Sequence, residues 1–161
     1  MRRTYTILAV IVGMLLILDQ WTKYLVDSGM YLHQSFAVIP GLLNITYVRN
    51  PGAAFGFLSG FSASLRIAFF VSVGVAAIVL IVYYLKKYRV QDPLLASSLS
   101  LILGGAAGNL IDRVRFGEVI DFIDFHIAGH HWPAFNVADS AISIGAVLLL
   151  FEMLRKRRTA P

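Results

Sequence analysis

Cysteine is absent from all 161 residues. That excludes disulfides, thiolate metal centres and a cysteine nucleophile. Charge is almost as scarce, with 14% Asp, Glu, Lys and Arg against 58% hydrophobic residues and a mean hydropathy of +0.73. A soluble domain of this length carries more polar surface, so the composition places most of the chain in a bilayer. Several catalytic signatures are missing too. No Gly-x-Ser-x-Gly elbow, phosphate loop or dinucleotide fingerprint occurs, and Ser140 and Ser143 have no well-placed histidine. His126, His130 and His131 read as a loop around Gly129. They would hold a metal only if that loop were helical, and no third ligand is evident, so neither metal nor cofactor is expected. The net charge of +5 does not indicate nucleic acid, because the basic residues gather at the ends of apolar runs and form no stripe interleaved with aromatics.

Long apolar runs are what the chain has most of. The first extends from Tyr5 to Val26 behind Arg2 and Arg3, about 22 residues. No small-x-small cleavage site follows its most apolar part, so it reads as a retained span and not a removable leader. At ~1.5 Å per residue it crosses ~30 Å of hydrocarbon. Asp19 and Lys23 are i,i+4 neighbours on this helix, acid first, the better orientation for a pair. They read either as an ion pair near the interface or as part of a site. Three further spans are expected at 67–85, 93–111 and 137–154. Along the third, Ala96, Ser100, Gly104 and Gly108 recur every fourth residue, a stripe that admits a close neighbouring helix. Asp112 continues that row, and Asn109 and Arg113 lie on the adjoining Gly105 row.

The outer loops, 27–65 and 114–135, are a different material. Gln34–Ile39 and Leu43–Arg49 are β-branched and aromatic, and the second alternates with period two, as a half-buried strand does. Asn50-Pro51-Gly52 opens a turn, with Phe55, Phe57, Leu58 and Phe61 after it available to dip into the interface. The expected fold is therefore a mainly α membrane protein, one domain over 1–161, with four transmembrane helices and a small extracytoplasmic β element. Nine of the fourteen basic residues sit at the N-terminus, in 86–89 or at the C-terminus. The positive-inside rule puts these in the cytoplasm and the outer loops on the other face.

Five of the nine acidic residues fall between Gly108 and Ser140. Asn136 and Asp139, at the head of the fourth span, suit helix capping. Val119–Phe125 suits a strand with Asp121 and Asp124 facing water. A carboxylate from each segment can also converge at the membrane surface, where one holds a proton and the other activates water, as in an aspartic protease. The alternative is a four-span proton-coupled transporter relaying protons through Asp19, Asp112 and Asp139.

Asp19-Gln-Trp-Thr-Lys23, Asn50-Pro-Gly-Ala-Ala-Phe-Gly56, Gly108-Asn-Leu-Ile-Asp-Arg113, Val119-Ile-Asp-Phe-Ile123 and Phe135-Asn-Val-Ala-Asp139 together resemble, in order, the five motifs of the lipoprotein signal peptidases (signal peptidase II). The resemblance implies an intramembrane aspartic endopeptidase of the bacterial inner membrane, with both termini cytoplasmic. It acts on diacylglyceryl-modified prolipoproteins and cuts before the lipidated cysteine. By motif position it implies Asp121 and Asp139 as the catalytic pair, and Asn50, Asn109, Arg113 and Asn136 as substrate-binding residues. It implies Asp19, Lys23 and Asp112 as supports, and Asp124 as an accessory or surface residue. Its partners are the prolipoproteins and membrane lipid, with no cofactor, metal or nucleic acid.

Overall fold

The computed structural model describes residues 2–52 and 61–159. The Phe55, Phe57 and Leu58 segment lies outside the described residues. Four helices are long and apolar enough to cross a membrane: α1 (Arg2–Gly29), α2 (Ala63–Lys87), α3 (Pro93–Phe116) and α4 (Val137–Thr159). Each runs beyond the expected span, because hydropathy marks where lipid ends and not where the backbone stops being helical. The clearest correction is in α3, which continues past Ile111 to Phe116 and so carries Asp112 and Arg113 inside the helix. It stops at Gly117, whose φ of 76° is the left-handed cap that glycine adopts without strain. At its other end Asp92 caps Leu94 and Leu95 N–H at 2.9 and 3.1 Å, ahead of Pro93 at a tolerated position.

The bundle packs around α3. A Cβ on Gly104 would lie 2.7 Å from Leu15 of α1, and one on Gly105 would lie 2.4 Å from the Ala138 carbonyl of α4. The small residues of α3 thus admit one neighbour on each row. The most apolar stretch of α2 has no residue buried within the protein, and Met14, Ile17, Leu80 and Val147 are more than half exposed. That outward apolar surface requires lipid.

The outer segments form one antiparallel sheet, in the order β1 (Ser35–Ile39), β2 (Leu43–Asn50), β3 (Val119–Ile127), β4 (His130–His131). The histidine loop is corrected here: β3 and β4 are a hairpin turning at Ala128 and Gly129, whose φ values of 49° and 79° suit a tight two-residue connection. His126 and His131 stack across it, ring centroids 4.6 Å apart. Val26, Tyr47, Ile120 and Phe122 form the core that joins α1 to the sheet. A polar clamp adds to it, with Arg49 at 2.5 Å from Asp27 and the Tyr47 hydroxyl donating to the same carboxylate. Burial pushes the Tyr47 hydroxyl above its ordinary pKa, and the Asp27 bond adds to that. At the opposite end of the bundle, Leu85, Val90, Ala96 and Leu99 pack together, and Thr4 donates to the Val90 carbonyl at 2.6 Å.

Candidate active site

Asp121 lies on β3 and Asp139 in the first turn of α4, and Asn136 holds both. Its Nδ2 is 2.7 Å from Asp121 Oδ1, and its backbone N–H is 3.3 Å from Asp139 Oδ2. Asn136 Oδ1 accepts from the Asp139 N–H at 2.9 Å, closing a reciprocal capping box. Capping and convergence, which the sequence presents as competing readings, use the same atoms. The remaining oxygens are also occupied: Asn109 Nδ2 donates to Asp139 Oδ1 at 2.7 Å, and Asn50 Nδ2 to Asp121 Oδ2 at 2.9 Å. Asn50 reaches Asp121 from the end of β2 because β2 and β3 are paired, Asn50 opposite Val119. Its own oxygen accepts from Gly52 N–H at 2.8 Å, in a turn where Gly52 has φ 87°. A Cβ there would also strike the Phe70 ring, 2.1 Å away.

Asp121 is 2% exposed, and burial pushes its carboxyl up to about 7, with the Asp139 charge acting in the same direction. Hydrogen bonds from Asn50 and Asn136 and the charge of Lys23 oppose the rise. At neutral pH this group therefore exchanges a proton readily. Asp124 is different in kind. Burial raises its pKa, but bonds from His131 (2.7 Å) and Asn44 (2.9 Å) outweigh that and hold it below the usual carboxylate value. None of its hydrogen-bond partners belongs to the Asp121–Asp139 network.

Arg113, Asn109 and Asp139 line a cavity of about 310 Å³ between α2, α3 and α4, whose other walls include Phe70, Gly74 and Ala106. The Arg113 guanidinium sits 5.0 Å from the Phe70 ring centroid and donates to the Asn109 carbonyl at 3.4 Å. A larger cavity, about 380 Å³, lies at the other end of the bundle between the same three helices. Glu152, its carboxylate, is paired with Arg155 at 2.7 Å and Lys156 at 3.1 Å. It presents salt-bridged charge and apolar wall, so the smaller cavity is the one with chemistry.

Behind the pair, Lys23 lies 2.8 Å from Asp19 and 2.9 Å from Asp112, all three at most 2% exposed. The sequence pairs Lys23 with Asp19 alone; the second carboxylate comes from α3. Gln20, which the motif reading passes over, brings its Nε2 to Asp112 at 2.9 Å and Asp19 at 3.2 Å. The signal for it is position: Gln20 stands beside Asp19 and three residues before Lys23.

A buried carboxylate and a half-buried one, held by one asparagine beside an apolar cavity, form a group equipped for hydrolysis at a membrane. Known proteins give this arrangement a family. A family model described as Signal peptidase (SPase) II matches residues 11–155. The chain belongs to the signal peptidase II family. The lipoprotein signal peptidase of Geobacter sulfurreducens is 53% identical over 162 residues, covering 100% of both chains. That of Syntrophus aciditrophicus is 51% identical over 158 residues, covering 98% of each. A solved bacterial membrane enzyme, 39% identical, superposes with a TM-score of 0.86 over 96% of this chain and 91% of its own. The chain is accordingly a multi-pass membrane enzyme, a peptidase and not a transporter.

Proposed function

We propose that this chain removes the signal peptide from diacylglyceryl-modified prolipoproteins, hydrolysing the peptide bond before the lipidated cysteine, with Asp121 and Asp139 as the catalytic pair. The observation that carries the reading is the shared hold of Asn136 on both carboxylates, one of them titrating near neutrality. Relatives named lipoprotein signal peptidase supply the substrate class.

Asp121 holds the shared proton and Asp139 is the base. Asp139 sits in the first turn of α4, where the helix dipole favours negative charge and the Asn136 N–H donates to its carboxylate. It takes a proton from water as the hydroxide oxygen adds to the scissile carbonyl carbon. The Asp121 O–H hydrogen-bonds the carbonyl oxygen as it becomes negative and transfers its proton there. Collapse of the tetrahedral intermediate returns that proton to Asp121, and the proton on Asp139 passes to the leaving amine. Asn50, Asn109 and Asn136 keep both carboxylates aimed, and no covalent intermediate is formed. Arg113, over Phe70 at the cavity wall, offers the guanidinium N–H groups not used on Asn109 to a substrate carbonyl or to the lipid ester groups.

The apolar cavity between α2 and α4 receives the substrate sideways from the bilayer. The sheet then stands on the outer face of the bacterial inner membrane, with both termini in the cytoplasm, as the basic clusters require. The test is incubation of the purified protein with a diacylglyceryl prolipoprotein and location of the cut by mass spectrometry. Cleavage immediately before the modified cysteine, absent with Asp121→Asn and Asp139→Asn, supports the reading; a cut elsewhere, or one that survives both substitutions, overturns it.

A further inference from the structure

The buried charges behind the site are arranged symmetrically about it. Asp19 Oδ1 accepts from the backbone N–H of Ala138 at 2.9 Å, and Ala138 precedes Asp139. Asp112 Oδ2 accepts from the backbone N–H of Ile120 at 3.2 Å, and Ile120 precedes Asp121. Each carboxylate thus grips the chain one residue before a member of the catalytic pair. Lys23 joins the two grips, 2.8 Å from Asp19 and 2.9 Å from Asp112. Its third contact is Asn109 Oδ1 at 3.1 Å. An ammonium has only donors, so the Asn109 oxygen must face Lys23 and its NH₂ must face Asp139.

We propose that Lys23 is a positioning residue for the reaction: through Asp112 and Asp19 it sets the spacing between Asp121 and Asp139, and through Asn109 it aims Asp139. The inference rests on the assignment of those two aspartates as the catalytic pair. From this one ammonium group on α1, α3 is held directly through Asn109 and Asp112, and β3 and α4 are reached through the carboxylates of Asp112 and Asp19. Asn136 is a second hold on Asn109 Oδ1, at 3.2 Å, but its two N–H hydrogens are divided among three acceptors, with Ile120 O at 3.2 Å and Asp121 Oδ1 at 2.7 Å. Lys23 supplies the undivided one. A Cβ on Gly108 would come within 2.6 Å of Asp19 Oδ2, so the close approach of α3 to α1 is what lets the carboxylate sit there.

A part that only neutralised charge would be replaceable by any uncharged set of the same volume. The test therefore compares Lys23→Met with the uncharged triad Asp19→Asn/Lys23→Met/Asp112→Asn, in membranes, as rate per folded enzyme on a lipidated substrate. Both should lose about a hundredfold in kcat, the scale of a 1 Å misplacement, with KM within about threefold of wild type. Their pH–rate limbs should also draw together, since a looser pair repels less. The charged groups facing the pair are Lys23, Asp19, Asp112 and Arg113, and removing charge alone moves both limbs in the same direction. If neither variant folds, Asp112→Asn gives the reading: it keeps an acceptor for Ile120 N–H but loses the ion pair, and should lower kcat about tenfold. Lys23→Arg, which keeps a cation with several donors, should recover part of the rate. A folded Lys23→Met, uncharged-triad or Asp112→Asn enzyme with wild-type kcat and unmoved limbs overturns the proposal. Asp121→Asn run alongside separates the two claims, because activity there would refute the catalytic pair and not the positioning role alone.

Discussion

Asn136 and Asp139 cap each other, with side-chain-to-backbone bonds of 2.9 and 3.3 Å in opposite directions. A reciprocal cap of this kind is ordinarily a device of helix stability, worth about 1 kcal/mol. Here it fixes the Asp139 carboxylate and leaves Asn136 Nδ2 to reach Asp121 at 2.7 Å. The head of α4 is therefore stabilised by the atoms that define the site, and mutation of Asn136 should cost stability and rate together. Asn136→Ala should lower unfolding free energy by about 1–2 kcal/mol and reduce kcat/KM at least tenfold. Thermal unfolding and a cleavage assay on one preparation check both.

The buried state of Asp121 makes a second, pH-dependent prediction. Its folded-state pKa, about 7, lies above that of an ordinary carboxylate in the unfolded chain, so the stability linked to it is present below the unfolded value and lost as pH rises through 7. Well above pH 7 the ionised, buried group costs the fold about 4 kcal/mol. Asp121→Asn should therefore abolish cleavage and raise Tm relative to wild type more at pH 8 than at pH 5. A Tm difference independent of pH would place Asp121 in water.

Asp124 should behave in the opposite way. Bound to His131 and Asn44 and held below the usual carboxylate pKa, it contributes stability that is lost as pH falls through that lowered value. Asp124→Asn should retain most of the activity and lose its stability deficit in acid. Loss of cleavage in Asp124→Asn, with activity in Asp121→Asn, would mean that the catalytic carboxylate stands three residues further along β3.

Gly108 tests the packing that brings α1 to the site. An added methyl group would sit 2.6 Å from Asp19 Oδ2 and 3.3 Å from Ala138 Cβ. Overpacking of this kind costs typically ~1–3 kcal/mol. Gly108→Ala should lower Tm and, by displacing Asp19, lower kcat as well, whereas Gly13→Ala, with open space at its Cβ, should do neither.

Much of this arrangement is legible in the sequence, for identifiable reasons. Spans show as apolar runs, β2 as a period-two alternation, and the head of α4 as Asn136 and Asp139 at capping spacing. The end of α3 is harder to place, because hydropathy falls at Asp112 while Arg113, Arg115 and Gly117 carry the signal of a basic last turn and a left-handed cap. The β3–β4 hairpin looks like a loop in the sequence because its turn is Ala128-Gly129, without the usual asparagine or aspartate. The hold of Asp112 on Lys23 and the Asp27–Arg49–Tyr47 clamp join residues 89 and about 20 positions apart. Such long-range pairings leave no local pattern to read.

The most direct test of the account is the pH dependence of kcat/KM on a lipidated peptide in bilayers. A pair sharing one proton gives a bell, falling in acid when the second proton binds and in alkali when the shared one leaves. The alkaline limb should lie within about one pH unit of 7, where Asp121 loses its proton. A rate that rises on a single acidic limb and stays flat to high pH, with the enzyme still folded, would contradict the shared proton and leave Asp139 acting alone as base.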